Sequence, residues 1–280
     1  MRNKSSIIFC VLGILTGQIS NSQPLLSHTL TGEGKITLLF LHGWCIDRTY
    51  WDNQVNYFKN DYQVLCVDLA NHGNSKHIRN DCQMASYADD VVKLIKAKKL
   101  NNIVLIGHSM SGNIILRIQR KVPKRIIGFI GIDNFLEVGS VLTPKQEQET
   151  ADFFKKFELE YPKVATDYCN SYLFCAQTDT LIKQRVINDV LKSDPNRAIE
   201  TLRSLFKEGA YERRAFGKMK LKTYLIVSDY HRIQENTLKQ YIKSGYDIRY
   251  VTNSGHYPMI EQPQQLNERL REILAEIRPK

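Results

Sequence analysis

The sequence predicts an α/β fold: a mostly parallel central sheet with helices on both faces and a helical cap inserted late in the chain. Three observations carry that prediction. Short segments that are apolar throughout alternate with segments bearing a helical stripe, which is how strands buried on both faces of a parallel sheet read. At the carboxyl ends of those segments stand His42-Gly43, Asp68, Ser109 and Asp133, and open α/β sheets build their sites at strand carboxyl ends. The alternation stops between residues 136 and 209 and resumes after them.

The elements follow in order. Residues 36–41 are an apolar strand running into His42-Gly43-Trp44, and residues 51–58 suit a short helix. Residues 62–68 form the next strand, which ends at Asp68 before the polar loop 71–75. Residues 87–99 place Val91, Val92, Leu94 and Ile95 on one helical stripe. A buried strand at 103–106 leads into Gly107, a helix continues over 114–120, and the strand 125–132 ends at Asp133. From 136 to 209 the chain is charged and helix-rich, with Phe153, Phe154, Phe157, Tyr161, Tyr168 and Tyr172 at helical spacing. These helices are expected to lie over the strand ends, with the aromatic rings as contacts between them. The alternation returns at 223–228, 235–243, 247–251 and 263–277. The expected division is a core of 23–135 and 210–280, a helical cap of 136–209, and a leader of 1–22.

The leader reading rests on Arg2 and Lys4, the apolar run 7–15, and the small residues Ser20-Asn21-Ser22 before a cut at Gln23. The run is too short to anchor a helix across a bilayer, so export with no stable membrane insertion is expected; an uncleaved anchor is the competing reading. Loss of Arg2 and Lys4 lowers the formal charge from +10 to +8. The basic residues are scattered and no nucleic-acid signature accompanies them, so nucleic acid is not an expected partner. After cleavage five cysteines remain (Cys45, Cys66, Cys82, Cys169 and Cys175), an odd number that leaves a free thiol. Cys169 and Cys175, six apart on one expected helix, would face different sides. No C-x-x-C and no paired histidine spacing suggests a metal.

Residues 107–111 read Gly-His-Ser-Met-Ser, one glycine short of G-x-S-x-G, the strand-to-helix turn that exposes a serine nucleophile. With glycine and serine at ~7% each, a chain of this length holds on the order of one G-x-S by chance, so context decides. That context is Leu41-His42-Gly43-Trp44 before it, the run Asp68-Leu69-Ala70-Asn71-His72-Gly73-Asn74-Ser75, and Gly255-His256-Tyr257-Pro258 near the end. In this order and at these separations, the chain resembles the α/β-hydrolase superfamily over nearly all of residues 27–280, in particular its capped esterase, C–C hydrolase and aminopeptidase branch.

The resemblance implies a serine hydrolase with Ser109 as nucleophile and His256 as base. The oxyanion hole would come from the backbone N–H groups of Trp44 and Met110. The acid has two candidates. Asp229 follows the strand after the cap, but counting three from Ser228 to the usual place of that acid lands on His231, so Asp229 arrives two positions early. Asp133 ends the strand beside the one carrying Ser109 and is the first choice. Asp68 and His72 are expected to be structural. The expected activity is cleavage of an ester or related acyl bond of a small substrate, without cofactor or metal. Aminopeptidase or C–C hydrolase chemistry, or a non-catalytic binding role, are the alternatives. An aminopeptidase would need a cap carboxylate, for which Glu158 and Glu160 are available.

Overall fold

The computed structural model describes residues 25–76 and 79–277. The expected leader, residues 1–22, with Cys10 and the cut before Gln23, lies outside the described residues. The chain forms β1 (His28–Thr31), β2 (Thr37–Leu41), α1 (Asp52–Phe58), β3 (Gln63–Val67), α2 (Met84–Ala97), β4 (Ile103–His108), α3 (Ser111–Lys121) and β5 (Ile126–Ile132). Five helices follow: α4 (Pro144–Leu159), α5 (Tyr161–Tyr172), α6 (Thr180–Lys192), α7 (Pro195–Leu205) and α8 (Gly209–Phe216). The chain closes with β6 (Thr223–Ser228), α9 (Glu235–Tyr241), β7 (Tyr246–Val251), α10 (Pro258–Glu261) and α11 (Pro263–Glu276).

Among the described residues, seven strands form one sheet in the order β1-β3-β2-β4-β5-β6-β7. Every pairing is parallel except that of β1 with β3. β2, β4, β5 and β6 are buried along their whole length, as unbroken apolar strands must be when helices cover both faces. α2, α3 and α8 pack together on one face, and α1 and α11 on the other. β1 carries no apolar run. It is an edge strand held by its antiparallel register with β3, so tertiary pairing rather than pattern creates it.

The helices between β5 and β6 start at legible signals. Thr143 and Gln146 form a capping box on α4, while Asp179 and Asp194 cap α6 and α7. This layer is tied to the core by Trp44 Nε1–H to the Ala198 carbonyl (2.8 Å) and Tyr50 O–H to Asp189 (2.8 Å). α5 ends at Tyr172, so Cys175 lies in the connection after the helix that holds Cys169, not on the same helix; all five described cysteines are free thiols. No helix among the described residues is long and apolar enough to cross a membrane.

Candidate active site

Ser109 sits between β4 and α3 with φ 53°, a left-handed conformation that non-glycine residues adopt only where the surroundings impose it. Its N–H donates to the Ile132 carbonyl on β5 (2.9 Å), and its carbonyl accepts from Gly112 N–H (2.9 Å). The turn is close-packed on one side because a Cβ at Gly107 would lie 2.6 Å from the Ser111 carbonyl oxygen. At the fifth position the serine is accommodated by a bond of its own: the fully buried Ser111 hydroxyl donates to the His42 carbonyl (2.5 Å). That bond joins the Ser109 turn to the His42-Gly43 turn. A Cβ at Gly43 would stand 2.6 Å from His108 Nδ1, so only glycine lets the two turns meet. Among the described residues, neither the Trp44 nor the Met110 backbone N–H donates to a protein acceptor.

His256 lies in the turn between β7 and α10. Its Nδ1–H donates to Asp133 Oδ2 at 2.5 Å, which leaves Nε2 as the edge able to take a proton. Asp133 is itself left-handed (φ 47°) and buried, and its second oxygen accepts from Ser228 N–H on β6 (3.1 Å). Its own N–H donates to the Ile226 carbonyl (2.8 Å), so the carboxylate is held by the neighbouring strand. Asp229 is exposed and accepts from Asn253 N–H (3.3 Å); it does not meet His256. Ser109 and His256 line one cavity of about 530 Å³. Among the described residues, no hydrogen bond joins the Ser109 hydroxyl to His256.

His42 and His108 are engaged elsewhere. His42 Nδ1–H donates to the Gly43 carbonyl and Nε2 accepts from Leu69 N–H; burial lowers its pKa to about 4. His108 Nε2–H donates to the His256 carbonyl (2.7 Å), and burial, with His256 beside it, holds its pKa well below the usual value. Asp68 accepts from the Arg48 and Asn74 N–H groups and pairs with the Arg48 guanidinium, which organises the loop after β3.

The family described as alpha/beta hydrolase fold matches residues 36–173. The AB hydrolase superfamily protein YisY of Bacillus subtilis is 24% identical over 245 residues, covering 84% of this chain and 90% of that protein. A pimeloyl-[acyl-carrier protein] methyl ester esterase of Wigglesworthia glossinidia brevipalpis is 23% identical over 218 residues, 76% of each. A thermophilic esterase from Thermogutta terrifontis superposes with a TM-score of 0.74 at 21% identity, over 90% of this chain and 93% of that one. The chain belongs to the α/β-hydrolase fold superfamily.

In this α/β-hydrolase the cavity beside Ser109 is walled largely by apolar and aromatic groups: Leu136, Leu142, Phe153, Tyr168, Tyr172, Leu173 and Phe206. The aromatics of the helices between β5 and β6 therefore divide. Phe154, Phe157 and Tyr161 are buried between helices, as expected, whereas Phe153, Tyr168 and Tyr172 also face the cavity. Helical spacing alone cannot separate the two roles, because a curved helix layer has a buried side and a cavity side within one stripe. Glu158 pairs with Arg203 and Glu160 with Lys163, both away from the cavity; the carboxylate from these helices that lines it is Glu149. Trp44 is buried and its indole bonds α7 rather than lining the cavity. His231, reached by counting from Ser228, forms part of the wall. A second cavity, of about 470 Å³, lies behind the Trp44 turn between α6, α7 and the 71–76 loop, and it contains neither Ser109 nor His256.

Proposed function

We propose that this hydrolase is an exported serine esterase that cleaves an ester or related acyl bond through Ser109, His256 and Asp133. The observation that carries the reading is the 2.5 Å bond from His256 Nδ1–H to the buried Asp133 carboxylate, with Ser109 in its left-handed turn on the same cavity. The Asp133 bond fixes the tautomer, so Nε2 is bare and can accept the Ser109 hydroxyl proton as Oγ attacks the acyl carbon. The oxygen of the tetrahedral species takes up negative charge that the Trp44 and Met110 N–H groups can bind. As the C–O bond to the leaving group breaks, His256 returns the proton to the departing alcohol. Water, deprotonated by His256, then attacks the acyl-enzyme and releases the acid with Ser109 restored. The apolar cavity walls favour an uncharged, apolar acyl group. Names of relatives that include a methyl ester esterase support the same reaction class.

The test is labelling by a fluorophosphonate probe. Mature wild type is expected to label and Ser109→Ala to stay unlabelled; folded wild type that does not label overturns the enzyme reading in favour of a binding protein. Glu149 favours one second reading, an aminopeptidase in which that carboxylate holds a substrate amine. Hydrolysis of aminoacyl p-nitroanilides that is lost in Glu149→Gln, without short-chain p-nitrophenyl ester turnover, would select it; turnover of a vinylogous diketone would instead select C–C hydrolysis. Export is tested by the N-terminus of the protein recovered outside the cytoplasm, expected at Gln23.

A further inference from the structure

Glu261, the last residue of α10, was not singled out by any motif, yet three donors converge on its carboxylate. Oε1 accepts from Tyr257 N–H (2.9 Å), and Oε2 accepts from Gly255 N–H (2.9 Å) and from the Thr178 hydroxyl (2.6 Å). The two backbone donors flank His256. The third belongs to the α5–α6 connection of the cap, where the buried Thr178 oxygen also accepts from Cys175 N–H (3.1 Å). The same connection reaches His256 directly, since His256 N–H donates to the Leu173 carbonyl (2.9 Å). The contact is tight: a Cβ at Gly255 would lie 2.8 Å from the Leu173 oxygen and 3.0 Å from Thr178 Oγ1. On the opposite side His108 Nε2–H holds the His256 carbonyl.

We propose that Glu261 is a positioning residue that grips the His256 turn from both sides and ties it to residues 173–178 of the cap, so that the histidine and the cap stay in register. The assignment of His256 as base is the reading that this rests on. A carboxylate is needed because two oxygens must serve three donors. Glutamine would offer one oxygen and turn its NH₂ against an N–H donor. A mere cap of the four-residue α10 would need only the Tyr257 bond and would have no reason to engage Thr178.

The experiment follows the His256 Nδ1–H proton by NMR together with hydrolysis of a short-chain p-nitrophenyl ester. In wild type the proton, in a short bond to Asp133, is expected as a sharp far-downfield resonance. Glu261→Gln should broaden or erase it and lower kcat by about 10- to 100-fold, with KM changed by less than about threefold. Thr178→Val, which removes only the tie to the cap, should lower kcat by a smaller factor and broaden the same resonance. A folded Glu261→Gln with a sharp resonance and wild-type kcat overturns the proposal. If that variant does not fold, wild-type behaviour of Thr178→Val in both readouts overturns it. Wild type that neither labels with fluorophosphonate nor turns over ester defeats the hydrolase reading instead, and the resonance still reports whether Glu261 orders the turn.

Discussion

β5 and β6 are neighbours in the sheet and each is followed at its carboxyl end by an aspartate, but the two carboxylates have different surroundings. Asp133 leaves β5 in a left-handed turn, is buried, and divides its oxygens between His256 Nδ1–H and the Ser228 N–H of β6. Asp229, one residue past β6, keeps its N–H on the Val251 carbonyl and points to solvent, where it accepts from Asn253 N–H. In the β5–β6 register Ile132 pairs with Ile226, so Asp133 is level with Val227 and Asp229 stands two positions further out, where it closes a surface turn. Burial makes the Asp133 bond count, whereas an exposed carboxylate is largely screened.

The sharpest way to break this contrast is to neutralise each acid in turn. Asp133→Asn should lower kcat for a p-nitrophenyl ester by about 10³- to 10⁴-fold with the fold retained, because the amide no longer fixes the His256 tautomer. Full activity in that variant together with loss in Asp229→Asn would reverse the assignment. A smaller effect is expected in the helices between β5 and β6: Phe153→Ala should raise KM for medium-chain esters by about 10-fold, roughly the loss of one buried aromatic contact, and leave kcat on acetate esters near wild type.

A third test concerns a histidine that burial keeps neutral, His42. His42, fully buried, has a folded pKa of about 4, below its unfolded value of 6.5. Above pH 6.5 both states are neutral and its contribution is fully present. As pH falls from 6.5 towards 4 the unfolded chain takes up a proton that the folded chain refuses, so stability falls, by up to about 3 kcal/mol from this group. Urea midpoints measured between pH 7 and 4 should decline less steeply in His42→Asn than in wild type. The smallest effect closes the series: Asp229→Asn should change kcat by less than about threefold and stability by about 0.5 kcal/mol, as for a surface turn residue.

The sheet was legible because its strands are apolar throughout, and the candidate nucleophile and base were legible because short motifs mark the turns that carry them. The missing glycine at position 111 was an apparent defect in sequence that the fold resolves with a hydroxyl bonded to the His42 carbonyl. β1 was not legible, because an edge strand made by backbone pairing needs no apolar pattern. Nor was Glu261, whose partners come from the residues either side of His256 and from Thr178, 83 positions away.

The sequence by itself determined the alternation of strands and helices, the helical segment inserted after β5, and which residues stand at strand ends, since all of these follow from local periodicity and turn chemistry. Only the tertiary structure decided which aspartate meets His256, which aromatics between β5 and β6 face the cavity, and what holds the histidine turn. Those depend on strand register and on contacts between segments far apart in the chain, which local periodicity does not encode.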